Sequence, residues 1–146
     1  MKGILADVNC DGHLKNLLLV WVRPEWHGLW QPLQLQCFFF EDFGISRAAQ
    51  DDDVWRFCQR ESLVLLTGNR NRDGEQSLDA VIVRETSTIT LPVFTIGSMQ
   101  RISTDRIYLE TVVIHLLEYL IDLKEKPETL VGAGRIFLPK NAAAGN

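Results

Sequence analysis

Two acidic positions and one polar cluster are the residues best suited to chemistry. Asp7 closes the apolar run "KGILADV", and three aspartates open "QDDDVWRFCQRES". From Leu63 to Glu85 the chain reads "LVLLTGNRNRDGEQSLDAVIVRE", an apolar run that breaks into amides, guanidinium groups and a carboxylate before a helical pattern begins. If Val54, Phe57 and Cys58 face inward on a helix, Asp51 shares their edge, three residues before Val54 and seven before Cys58. Asp53, four before Phe57, ranks second, and Asp52 points away. Asp7 and Asp51 brought to one point would offer hard oxygen ligands. Mg²⁺ or Mn²⁺ is held by such a pair when waters and a substrate phosphate complete the shell. The plainer readings stand beside this one. Acidic residues in a first helical turn also complement the helix dipole and cap it, and Asp73-Gly74 is a turn signal.

These side chains need elements to position them. "KGILADV" reads as a strand. "DGHLKNLLLVWV" follows as a helix, with Leu14, Leu17, Leu18 and Trp21 at helical spacing and Asn9 or Asp11 as its cap. Pro24 closes it. "PEWHGLWQPLQ", residues 24–34, reads as a structured loop whose tryptophans form either a hydrophobic plug over the core or an interface. "LQCFFFED" is a second strand ending near Glu41 and Asp42, and "SLVLLT" a third, apolar throughout as a central parallel strand should be. "SLDAVIVRET" is a helix with Leu78, Val81 and Ile82 on one face. "TLPVFTIGS" is a fourth strand with Pro92 at its start.

The longest helix is "TDRIYLETVVIHLLEYLIDLKEK". Its polar residues Thr111, His115, Glu118 and Asp122 form one stripe, and its apolar remainder suggests burial, part of it against a second copy of the chain as a two-fold dimer. "GRIFLP" adds a fifth, edge strand. The alternation predicts a three-layer α/β/α fold with a mostly parallel central sheet of four or five strands. It forms one domain over 1–139, with a frayed tail over 140–146. Ligands in such sheets bind outside the carboxyl ends of the strands. That rim gathers Asp7 and Asn9, the run from Thr67 to Asp73, and Gly97 and Ser98.

Bulk properties narrow the function. The chain has 146 residues, 46% hydrophobic and 23% charged, with a net charge of −4. Such a surface does not attract polyanions as a whole, so nucleic acid would need a local basic patch. Cys10, Cys37 and Cys58 are odd in number and widely spaced, which reads as buried thiols in a reducing compartment. His13, His27 and His115 lack metal-ligand spacing and read structurally. No signal-peptide pattern opens the chain and no apolar run is long enough to span a membrane, so a cytoplasmic, soluble protein is expected.

At "ILADVN", "DDDVWRFCQRESLVLLTGNRNRDG" and "SLDAVIVRE" the sequence resembles the PIN-like nucleases, over roughly residues 1–85. The resemblance implies a carboxylate cluster at the strand ends that binds Mg²⁺ or Mn²⁺ and hydrolyses RNA phosphodiester bonds, single-stranded RNA being the expected substrate. The family's first acidic position falls on Asp7 and the helical one on Asp51. The third falls on Asn69, an amide where most relatives carry an aspartate, which weakens the hold on a cation. Asp73, or Asp79 in the next helix, would have to supply the missing charge. Arg70 and Arg72 are candidates to grip phosphate, since a guanidinium matches its geometry; Asn9 and Ser98 are candidate substrate contacts.

Three functions remain in play. The first is a metal-dependent ribonuclease, of the toxin type that works with an antitoxin-like protein partner. The second is a catalytically weakened module that binds RNA or a protein. The third is a phosphatase using Asp7 as nucleophile, disfavoured because Asn9 stands where such enzymes place a second aspartate.

Overall fold

Five short runs pair side by side, all parallel: β1 (Gly3–Ala6), β2 (Gln36–Phe38), β3 (Leu63–Thr67), β4 (Val93–Ile96) and β5 (Arg135–Leu138). Their order across the sheet is β2-β1-β3-β4-β5. This computed structural model describes residues 1–8, 10–68 and 74–140, with the side chains at positions 11, 13, 14 and 18 left out. The expected cap residues Asn9 and Asp11, the helical Leu14 and Leu18, and His13 therefore lie outside what is described. So does the expected tail, from residue 141 onward.

Side chains alternate across the sheet, as a strand's period of two requires. Ile4, Ala6, Val64, Leu66, Phe94, Ile96 and Leu138 point to one face, and are covered by α1 (Asp11–Trp21), α5 (Met99–Thr104) and α6 (Arg106–Glu125). Leu5, Leu63, Leu65 and Val93 point to the other, under α3 (Asp51–Glu61) and α4 (Leu78–Glu85). The three-layer α/β/α arrangement read from the alternation of elements is the one observed, with the fifth strand at the edge.

The connections have an unusual feature. The steps from β3 to β4 and from β4 to β5 move the same way along the sheet. Yet α4 covers one face and α5 with α6 the other. Two such crossovers must differ in hand, so one departs from the right-handed rule that parallel connections almost always obey.

Several boundaries differ from expectation for local reasons. Residues 24–30 are not a loop but a helix, α2 (Pro24–Trp30). Pro24 ends one helix and occupies the first turn of the next, where its missing N–H costs nothing. The plug reading of this segment holds: Trp30 stacks on the fully buried Trp21, ring centres 4.2 Å apart. β2 stops at Phe38 because Phe40–Phe43 tightens into a 3₁₀ turn closed by Gly44 at φ 67°. The short helix α5 has no sequence periodicity to announce it; Ile102 is its one buried residue. It ends at Asp105, whose extended backbone breaks it from α6 and whose carboxylate caps α6 by accepting from the Tyr108 N–H.

Most of the large apolar residues of α6 are buried or half-buried within the chain, although Ile107 is exposed. Val112, Val113, Leu116, Leu117, Leu120 and Leu123 are buried in the core beside α1 and the sheet. His115 accepts the Lys140 backbone N–H at 2.7 Å, a structural role. No helix among the described residues is long and apolar enough to cross a membrane.

Candidate functional site

The site begins with strand register. Ala6 pairs with Leu66, and Thr67 with Thr95. One step beyond Ala6, Asp7 therefore falls beside Thr67, and Asp7, Thr67 and Thr95 form a row across the carboxyl ends of β1, β3 and β4. All three have the phase of Leu5, Leu65 and Val93, so the row lies on the α3–α4 face. Chain direction along the sheet reverses between β1 and β3, the switch point where doubly wound sheets open a ligand crevice.

Asp7 is held firmly there. Its Oδ2 accepts the Thr67 hydroxyl at 2.7 Å and its Oδ1 accepts the Val8 N–H at 2.7 Å. Its main chain continues the pairing, donating to the Leu66 carbonyl at 2.9 Å and accepting from Cys10 N–H at 2.8 Å. Thr67 and Thr95 are fully buried. Beneath the row, Cys58 on α3 has its thiol pushed upward, chiefly by burial and secondarily by the charge of Asp7. Cys37, on the edge strand, is pushed up to about 12 by burial alone. Neither thiol is a nucleophile at neutral pH.

Asp51 begins α3. This helix leads directly into β3 and packs on the sheet face to which the row points. Its first turn therefore stands over the same rim as Asp7. Asp51 is half-buried.

The ranking of its neighbours is reversed. Asp52, expected to point away, is buried, while Asp53, expected second, has 72% of its side chain exposed. The buried stripe of α3 runs through Val54, Trp55 and Cys58, with Phe57 only half-buried. Trp55 rather than Phe57 marks its edge, which turns the stripe toward α4 and carries Asp52 in with it. There Asp52 accepts the Asp53 N–H at 2.9 Å and pairs with Arg56 at 3.3 Å. Arg56 in turn grips Glu85 of α4, at 2.5 Å from its Nη2. Asp52 is thus a structural carboxylate tying α3 to α4.

Asn9, Asn69, Arg70, Arg72 and Asp73 lie outside the described residues. Ser98 sits at the end of β4 as expected, but its hydroxyl oxygen caps α5 by accepting the Arg101 N–H, and its own N–H donates to the Tyr108 hydroxyl at 2.9 Å. Asp79, in the first turn of α4, stands 3.5 Å from the Arg135 guanidinium. Among the described residues no three His, Cys, Asp or Glu side chains are grouped so as to hold a metal ion.

Sequence reasoning missed Arg135 and Thr95, and placed Thr67 on the rim without giving it a role. Arg135 starts β5, yet its side chain is only 9% exposed and donates to Thr95 Oγ1 at 2.6 Å. The signal was present: a threonine ends "LVLLT" and another interrupts "VFTI" one residue before its end, both in the same phase as Asp7. Reading it required knowing the register.

No protein-family model matches this chain, and no curated protein or solved structure matches it significantly.

Proposed function

We propose that this chain is a divalent-cation-dependent nuclease of the PIN-like kind, acting on RNA, with Asp7 as the principal acidic ligand and Asp51 as the second. The observation that supports this most is the fixed Asp7 carboxylate at the β1–β3 switch point, with the first turn of α3 over the same rim. Two carboxylates are the hard oxygen donors that Mg²⁺ or Mn²⁺ takes from a protein when phosphate supplies the rest. When bound, such an ion supplies a water of lowered pKa and neutralises charge on the phosphoryl oxygens.

The chain's own part is orientation. The Thr67 hydroxyl and the Val8 N–H each occupy a lone pair of Asp7, leaving the carboxylate one preferred attitude toward the crevice. Buried Leu5, Leu63 and Leu65 beneath it give the floor a low dielectric, in which a charge acts at greater strength. Asn69 would be a neutral third ligand, with Arg70 and Arg72 on the phosphate. The test is cleavage of single-stranded RNA with and without Mn²⁺. Asp7→Asn should abolish the Mn²⁺-stimulated rate, and an unchanged rate in that variant rejects the assignment.

A second reading rests on the amide Asn69 at the third ligand position and on the net charge of −4: a catalytically weakened module that binds RNA or a protein. Thermal unfolding in millimolar Mn²⁺ separates the two. Stabilisation that Asp7→Asn removes supports the nuclease; no stabilisation supports the binding module.

A further inference from the structure

An acid, an aromatic ring and a base follow one another along the outer face of α3. Asp53, Phe57 and Arg60 stand at i, i+4 and i+7, which is one helix face, with the two charges about 10 Å apart along the axis. Asp53 and Arg60 are exposed and Phe57 is half-buried. Beside them lies a notch of about 170 Å³, lined by Ile45, Ala49, Val54 and Phe57 together with Asp53 and Arg60. Phe43, itself 36% exposed, meets Phe57 edge-on at 4.9 Å between ring centres and extends the apolar strip.

Both charges complement the dipole of their own helix, so their placement alone calls for no partner. Their pairing within the chain is slight, however. Asp53 stands 3.8 Å from Arg56, and Arg60 lies 5.9 Å from the Phe57 ring without an ion pair among the described residues. An apolar strip closed at one end by a carboxylate and at the other by a guanidinium has a particular property. A two-fold axis across its middle makes it complementary to itself. Two copies of α3 laid antiparallel put Asp53 of each against Arg60 of the other, with both Phe57 rings beside the axis and facing the notches. The other exposed apolar side chains, Leu19 and Val22 on α1 and Ile107 on α6, lack this arrangement. The charges nearest them in sequence, Arg23, Arg106 and Glu110, already pair with one another.

We propose that this face docks a second copy of the chain, α3 against α3, in an antiparallel two-fold pair. Its apolar centre is Phe43, Phe57 and the notch, and its ends are two Asp53–Arg60 ion pairs. With one helix face and one loop from each copy, the contact belongs to the small, concentration-dependent class. It depends on no reading of Asp7, and so stands or falls apart from the nuclease.

Sedimentation velocity of the full chain in low salt tests this. The parent should form a dimer as concentration rises from the micromolar toward the millimolar range, and added salt should weaken it. Asp53→Lys and Arg60→Glu each set like charges against each other at both ends of the pair, so each should weaken the dimer roughly tenfold. An equimolar mixture of the two variants should recover the parent affinity, since in the mixed dimer every facing pair is again of opposite sign. Recovery on mixing also shows that both variants fold. Ile107→Lys, on the far side of the sheet, should leave the dimer intact. A parent that stays monomeric throughout, single variants that dimerise like the parent, or a mixture no tighter than its components overturns the proposal. So does a dimer lost in Ile107→Lys but kept in the α3 variants.

Discussion

The Thr67 hydroxyl donates to Asp7 Oδ2 at 2.7 Å, joining the carboxyl ends of β1 and β3 where the direction of the sheet reverses. Thr67 is fully buried, so this bond is both a stabilising contact and the means of aiming a carboxylate.

Thr67→Val keeps the shape and removes the donor. Loss of a hydrogen bond to a charged, partly covered group costs about 2 kcal/mol. Urea denaturation should show a lower midpoint with an unchanged slope. Thr67→Ser should recover most of the loss, and if Thr67→Val is as stable as the parent, the bond contributes nothing.

Asp51 and Asp52 should separate function from stability. Asp52→Ala removes the buried partner of Arg56 and the acceptor of the Asp53 N–H, so its melting temperature should fall while any Mn²⁺-stimulated cleavage persists. Asp51→Asn should do the reverse, and Asp53→Asn, at an exposed position, should do neither. Loss of activity in Asp52→Ala with full stability would put the wrong aspartate in the site.

Glu85 gives a pH signature. Its hydrogen bonds from Arg56 hold its carboxyl below the usual range, against some opposing desolvation and with help from the Arg56 and Arg84 charges. A lowered acid pKa stabilises the fold above the unfolded value, near 4.3, and that contribution disappears as pH falls through the folded value. Glu85→Gln should therefore melt lower than the parent at pH 7, and the two should converge in acid. High salt should narrow the gap at pH 7 as well. Equal melting temperatures at pH 7 in low salt would remove this ion pair from the stability account.

Gly3 should resist substitution. A Cβ there would lie 2.0 Å from the Gln36 carbonyl oxygen on the neighbouring edge strand, so Gly3→Ala must push β2 away from β1. A loss of roughly 2–3 kcal/mol is expected, visible in the denaturation midpoint. Faster amide exchange at Cys37 and Phe38 would locate the damage in the β1–β2 pairing.

Much of this arrangement was legible in the chain. Apolar runs ending in Asp7 and Thr67 marked two strands, because a central parallel strand is buried on both faces and tolerates polarity only at its end. Leu78, Val81 and Ile82 were read as one inward face and are all buried. His115 was read as structural and binds backbone. The Asp52–Asp53 order was misread because Trp55 and Phe57 are both large and apolar, and only packing against α4 decides which of them turns inward.

Local chemistry alone determined where strands and helices alternate, since burial periodicity and caps act over a few residues. It placed Asp7 at a strand end and the three aspartates at a helix start. The side of the sheet that α6 covers, the lateral order of the strands, and the register that aligns Asp7, Thr67 and Thr95 depend on contacts between residues far apart in the chain. Arg135 reaches that row from a strand more than a hundred positions after Asp7. Only the folded sheet puts Asp7, Thr67, Thr95 and Arg135 on one face, because strand pairing, not sequence proximity, sets which side chains share a face.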